Sequence, residues 1–247
     1  MLRLVLTMAS VLVIGPNSAA GAAGGGVPPV ALSVSPARVE LAAPASRTIE
    51  LRNVGAEGMV VDVAPKSIDR SIRADAWLSV RPARLVLRSR SRAVITLRVR
   101  AHDGARPGDH QLRVLVVARP QRSSRVAVRV RLGVGVRVRM PGRLVRRVTV
   151  RAVRVRPHGP TRDLLVSVAN CGNVTEQLGG RLTVTLVRRG RLVSRLRLRG
   201  PHELFPGAGT VIPLRYAGHV RGLVTAVVRV RFGGRLLLVE RRYRLRL

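Results

Sequence analysis

Apolar residues in this chain recur at every second position far more often than at helical spacing. The stretch RVAVRVRLGVGVRVRM at 125–140 is the clearest case. Val126, Val128, Val130, Leu132, Val134, Val136, Val138 and Met140 hold its even positions, and arginine holds five of the odd ones. Alternation of this kind puts successive side chains on opposite faces of a pleated strand, one face buried and one wet. The same reading gives strands over 30–34, 37–41, 46–53, 58–63, 77–80, 84–87, 92–100, 110–118 and 125–140. It continues over 144–155, 163–169, 181–188, 191–198, 210–216, 221–232 and 235–246. Arg189-Gly190 and Gly233-Gly234 have the spelling of two-residue hairpin loops, which need positive φ. The alternation changes phase around Arg151–Val153, as an inserted bulge residue would make it do. Residues 125–140 are long for one strand of a small sandwich, and Gly133 and Gly135 offer a bend or a crossing between sheets there.

Short strands at this spacing predict an all-β chain of two tandem immunoglobulin-like β-sandwiches. Pro141-Gly142 breaks the pattern. The expected organisation is a first sandwich over 30–140, a linker at 141–143 and a second sandwich over 144–247.

Composition fits this reading and adds a constraint. Of the 247 residues, 46% are hydrophobic and only 2% aromatic, so the core has to be built from Val, Leu, Ala and Ile. The branched β-carbon of valine suits a half-buried pleated surface. The net charge is +34, and all but one of the 46 basic residues are arginine, the exception being Lys66. Both halves are basic, so this is no neutral domain with a basic tail. A field of this size draws polyanions toward the surface. The single cysteine, Cys171, permits no intrachain disulfide.

The N-terminus has the parts of an export signal over 1–22. Arg3 precedes an apolar run at 4–14, Gly15-Pro16 ends it, and Ala20-Gly21-Ala22 fits a small-x-small cleavage site. The run falls short of the roughly 20 residues that span a bilayer. A Gly/Pro linker follows over 23–29. The expected location is extracytoplasmic, secreted or bound to the cell envelope, with no transmembrane anchor apart from an uncleaved signal.

Three stretches carry a family resemblance. The first is Ser33-Val-Ser-Pro-Ala-Arg-Val-Glu-Leu41 followed by Thr48-Ile-Glu-Leu-Arg-Asn-Val-Gly55. The second is Trp77-Leu-Ser-Val-Arg-Pro-Ala-Arg-Leu-Val-Leu87, leading to Ala93–Arg100 and Arg106-Pro-Gly-Asp-His110. The third is Arg131-Leu-Gly-Val-Gly-Val-Arg-Val-Arg-Met-Pro-Gly142. Their order resembles the N-terminal immunoglobulin-like domain of the WxL-interacting cell-surface proteins and, more distantly, PapD-like pilus-chaperone domains. Asp163–Asn170 ending in Asn-x-Gly, the hairpin at 181–198, Phe205-Pro-Gly207 and a terminal hairpin resemble the second sandwich of the same proteins. The resemblance implies a surface protein whose first module binds peptidoglycan and whose second binds a protein partner, without catalysis. The chain ends at Leu247 without the membrane anchor usual in that family. The basic residues with which pilus chaperones hold a subunit's terminal carboxylate have no match here.

Catalytic motifs are missing from the sequence. The acids are scattered, with no nucleophile elbow, no phosphate-cradling loop and no zinc spacing. His102, Asp103, Asp109 and His110 form the nearest thing to a cluster, in a loop whose Asp, Gly and Pro content also reads as a plain turn. Asn173-Val-Thr175 spells a glycosylation sequon. Nucleic-acid readers add aromatic stacking platforms, and none is interleaved with these arginines. Enzymatic activity, a cofactor, a bound metal and specific nucleic-acid binding are therefore not expected.

The function expected is that of an exported envelope binding or scaffolding protein, engaging cell-wall glycan or an anionic wall polymer and a surface protein partner. The candidate contact surface is the stripe Arg125, Arg129, Arg131, Arg137 and Arg139, which equally fits the solvated face of a strand. The alternative is a chaperone-like protein that binds partners by β-strand addition through residues 125–140. The two differ in what they need: a broad coplanar arginine face for the first, an accessible strand edge for the second.

Overall fold

The computed structural model describes residues 28, 30–68, 74–101, 104–121, 128–233 and 237–247, with the side chains of 74 and 75 excepted. The signal and most of the linker expected at the N-terminus lie outside this set. The chain divides into two compact units, one running to Pro141 and the other formed by Gly142–Leu247 together with Pro107–Asp109. Both are β-sandwiches, as the period-two pattern predicts.

The first unit holds β1 (Leu32–Ser35), β2 (Arg38–Ala42), β3 (Ala45–Asn53), β4 (Met59–Ser67), a single helical turn α1 (Ala74–Trp77), β5 (Leu78–Arg81), β6 (Arg84–Leu87), β7 (Arg92–Val99), β8 (Gly108–Pro120) and β9 (Val130–Met140). One sheet runs β1-β3-β7-β5 and the other β2-β9-β8-β4-β6. All the strand pairs with a given register are antiparallel except β2 with β9, which run parallel. Between β1 and β2 the chain leaves one sheet for the other. The core between the sheets is aliphatic: Ile49, Leu51, Ile95 and Leu97 from one side meet Met59, Val61, Leu112, Val114, Val116 and Val136 from the other, all at most 1% exposed. Burying one such side chain contributes about 1.5–3 kcal/mol. Trp77 closes one margin and stacks edge-on against His110, with ring centroids 4.7 Å apart.

The second unit holds β10 (Val148–His158), β11 (Thr161–Asn170), β12 (Glu176–Gln177), β13 (Leu182–Arg188), β14 (Arg191–Arg197), β15 (Glu203–Leu204), β16 (Gly209–Tyr216), β17 (Leu223–Phe232) and β18 (Leu237–Arg246). Its sheets run β10-β11-β16 and β14-β13-β17-β18, with β12 and β15 as a small separate pair. The bulge expected near Arg151 is present: the β10–β11 register skips from Val150 to Ala152, which returns Val153 to the buried side. The Arg189-Gly190 hairpin is present too, with both residues at positive φ. The bend expected at Gly133 and Gly135 is absent. β9 continues unbroken through both within one sheet, so no sheet crossing takes place there.

A buried asparagine ties together one corner of each sandwich. Asn53 Nδ2 donates to the carbonyl oxygens of Glu57 (2.7 Å) and Arg88 (2.9 Å), and its Oδ1 accepts from Gly55 N–H (2.9 Å). Asn170 repeats the arrangement: Nδ2 donates to Val174 O (2.8 Å) and Leu204 O (2.9 Å), and Oδ1 accepts from Gly172 N–H (2.9 Å). Both side chains are essentially inaccessible. Each satisfies backbone groups of its own turn and of a segment some 34 residues further on.

Asp163 on β11 is a buried acid of the second sandwich ringed by cationic side chains. Its side chain is 4% exposed and faces Arg156 (3.3 Å), Arg215 (3.3 Å) and His158 (3.6 Å). Burial alone would push its pKa up. Hydrogen bonds from Arg156 and Arg215, with the charges of Arg215 and His158, outweigh that and hold it below the usual carboxylate value.

Two outcomes follow. Asn53→Ala and Asn170→Ala each strand buried carbonyls, so each should lower unfolding free energy by about 2–3 kcal/mol in urea titrations. Asp163 is more acidic in the folded chain than in the unfolded one. Its stabilising effect is complete above the unfolded pKa of about 3.9 and is lost as pH falls through the lower folded value. Asp163→Asn should therefore melt earlier than the parent at neutral pH, and the gap should narrow toward pH ~2–3 in thermal scans.

Candidate functional site

The arginine stripe and the strand that carries it resolve into two different environments. Arg125 lies outside the described residues. Arg129 and Arg131 are exposed, whereas Arg137 and Arg139 are half-buried. Arg137 is bound by Glu40 of the neighbouring strand β2 and is only 17% exposed. The stripe therefore offers two exposed guanidiniums at one end of β9 and two engaged ones at the other.

The division follows from the length of β2. Its five residues pair with Gly135–Arg139 of β9 and no further. Gly135 N–H donates to Ala37 O (3.0 Å) and Ala43 N–H donates to Arg139 O (2.9 Å). Odd-numbered residues of β9 thus turn their backbone groups toward β2. By alternation, the N–H and C=O of Arg131 and Gly133 point to the same side. Among the described residues no strand pairs with β9 there. The side chains change along with the edge. Val134, Val136, Val138 and Met140 are buried, Val130 and Leu132 are half-buried, and Val128 is 41% exposed. The N-terminal half of β9 is an edge with open hydrogen-bonding groups and apolar side chains partly accessible, which is the geometry that accepts an added strand.

The residues singled out for chemistry do not converge. His102 and Asp103 lie outside the described residues. Asp109 is buried and its Oδ2 accepts from Thr175 N–H at 2.8 Å, within the second unit. His110 Nε2 sits 2.7 Å from Arg106 O. No group of three or more metal-ligating side chains occurs among the described residues. Glu203 takes a hydrogen bond from Gln177 Nε2 at 2.7 Å. The sequon asparagine, Asn173, is held by the distant segment at 143–145: its Oδ1 accepts from Val145 N–H and its Nδ2 donates to Arg143 O. Cys171 is exposed, with its Sγ 3.8 Å from Thr149 Oγ1. Among the described residues no helix is long and apolar enough to cross a membrane.

Sequence reasoning located the strand and, in its alternative reading, offered it as an accessible edge; it did not locate where along the strand the edge opens. The alternation marks 125–140 as a strand with arginine on one face. It carries no sign of which neighbour pairs with it, nor of where that neighbour starts.

No protein-family model matches this sequence, and comparison with curated proteins finds no match. Solved structures do match. The crystal structure of the YadV chaperone shares 13% identity with a TM-score of 0.50, covering 87% of this chain and 99% of that one. A chaperone–tip adhesin complex of CFA/I fimbriae biogenesis shares 11% at 0.52, covering 86% and 98%. The class 5 fimbriae chaperone CfaA shares 12% at 0.52, covering 86% and 98%. These findings give no support to the WxL-interacting resemblance and agree with the more distant, PapD-like one. The chain has the fold of the fimbrial chaperones, two β-sandwich domains in tandem.

Proposed function

We propose that the chain is an extracytoplasmic, non-enzymatic binding protein of the chaperone kind, which holds a protein partner by adding a strand to the open edge of β9. The observation that carries this reading is the break at Gly135. On its C-terminal side β9 is covered by β2. On its N-terminal side Arg131 and Gly133 present backbone donors and acceptors next to the apolar row Val128, Val130 and Leu132. Main-chain hydrogen bonds would supply affinity and the apolar row selectivity. A strand edge is costly to leave open, since it invites unwanted pairing. The flanking Arg129 and Arg131 keep this one soluble while leaving its backbone accessible.

The fold likeness supports the same reading, because one of the similar structures is a chaperone held with a tip adhesin. A surface protein segment is accordingly the partner proposed, and the space outside the cytoplasm its location. Binding of cell-wall glycan or wall polymer through the original stripe has less to rest on. Arg137 already has a carboxylate partner, and only Arg129 and Arg131 of the described stripe are freely exposed.

Arg131→Pro tests the proposal. It deletes one edge N–H while leaving the ladder to β8, and proline is tolerated on an edge where its missing donor faced outward. The probe is a fluorescent peptide of alternating Val and Thr, followed by polarisation and amide exchange. The parent should bind it and gain protection at Arg131 and Gly133, and the variant should bind about tenfold or more weakly, a loss of 1.4 kcal/mol or more. Equal binding by both proteins, or protection elsewhere, would sink the strand-addition reading.

A further inference from the structure

The outer face of the sheet β14-β13-β17-β18 is rich in arginine. Its registers set Arg197, Thr183, Arg229 and Glu240 in one row across the sheet, and Arg195, Thr185, Val227 and Arg242 in the next. A third row reads Leu192, Val187, Thr225 and Arg244, and Arg246 follows on β18. Along the middle of the face the two central strands carry mostly short side chains, Thr183, Thr185, Val187, Thr225 and Val227; the long one in these rows is Arg229, which is turned to Glu240 on β18. The two edge strands carry long guanidinium side chains. Three strand intervals of about 4.8 Å separate the edges, so the face is a shallow trough about 14 Å across.

Its charge is one-sided. Glu240 is the single carboxylate in these rows. It is shared by Arg229 (2.7 Å) and Arg242 (3.5 Å), and the Arg229 hydrogen bond, ahead of the opposing effect of burial, holds its pKa below the usual value. Among the described residues Arg195, Arg244 and Arg246 have no ion-pair partner. At the Arg197 end the trough runs into a cleft of about 630 Å3 lined by Gln177, Gly179, Gly180, Arg199, Gly200 and Pro201. Arg197 also lines this cleft, and its Nε donates to Gly180 O (2.8 Å).

We propose that this trough binds a linear phosphate-bearing polymer, gripped by Arg195 and Arg197 on one rim and by Arg242, Arg244 and Arg246 on the other. Guanidinium groups take phosphate oxygens in a bidentate fork, and the threonine hydroxyls of the floor can donate to the same oxygens. Outward residues on β18 recur every two positions, about 6.8 Å apart, which suits a charge repeated along an extended chain. The rows contain no aromatic residue. Tyr243 turns inward and donates its hydroxyl hydrogen to Val150 O at 3.1 Å. The trough therefore lacks a platform for stacked bases, and recognition rests on the phosphates alone. This site is separate from the β9 edge and independent of the strand-addition reading.

The probe is long-chain inorganic polyphosphate, with polyglutamate of matched length beside it. Binding is measured on the full chain across a salt series. One variant changes Arg195, Arg242, Arg244 and Arg246 to serine. A second removes the same charge from the first sandwich by changing the exposed Arg47, Arg52, Arg81 and Arg98 to serine. The trough variant should lose at least about tenfold in polyphosphate affinity near 0.15 M salt, with a shallower dependence of affinity on salt. The other variant should lose less than about threefold, and polyglutamate should bind more weakly than polyphosphate to the parent. Arg131→Pro should leave polyphosphate binding unchanged. Equal losses in the two quadruple variants would reduce the attraction to bulk charge and overturn the proposal. Polyglutamate binding as tight as polyphosphate binding would overturn the phosphate assignment.

Discussion

Each sandwich hangs on a buried side-chain amide. A core made almost wholly of valine, leucine and isoleucine fills space well but specifies register poorly, since one aliphatic side chain can stand in for another at small cost. An amide that must meet several backbone groups at fixed distances has no such latitude. Asn53 and Asn170 each close their own turn through the glycine two residues on, and each reaches a strand about 34 residues away. Local turn and distant strand are thereby locked in one geometry. An error of register would leave buried carbonyls unpaired, at a cost comparable to several aliphatic contacts. The two sandwiches share this device at the same spacing.

The strands themselves were legible because alternation is a direct consequence of burying one face. β6 falls where the pattern puts it, and most of the other long strands deviate by a few residues at their ends. The phase change at Arg151 marks a true bulge, and Arg189-Gly190 a true tight turn. The two-residue strands β12 and β15 were invisible, being too short to show a period. Gly133 and Gly135 misled for a physical reason. Glycine permits a bend without requiring one, and the β2 and β8 neighbours hold this strand extended.

The candidate edge depends on pairing, which a single strand's pattern does not encode. That β2 runs parallel to β9, and begins opposite Gly135, follows from the crossing between sheets after β1 and the place where the chain enters the second sheet. The same holds for the arginine trough. Each of its arginines reads, strand by strand, as an ordinary solvated position. The register brings β14 and β18 to the two rims of one sheet, and their collective character appears only there.

Nearly all of the positive charge on this surface sits on guanidinium groups, which keep their proton throughout the range in which proteins stay folded. With one lysine and five histidines in the whole chain, there is almost nothing to titrate between pH ~5 and ~10. The surface potential is in effect fixed at synthesis. Mild acidification or alkalinity does little to dim it, and acetylation has a single internal lysine to act on. Ionic strength is the remaining control: the same molecule is a strong polyanion trap in dilute surroundings and a weak one in brine.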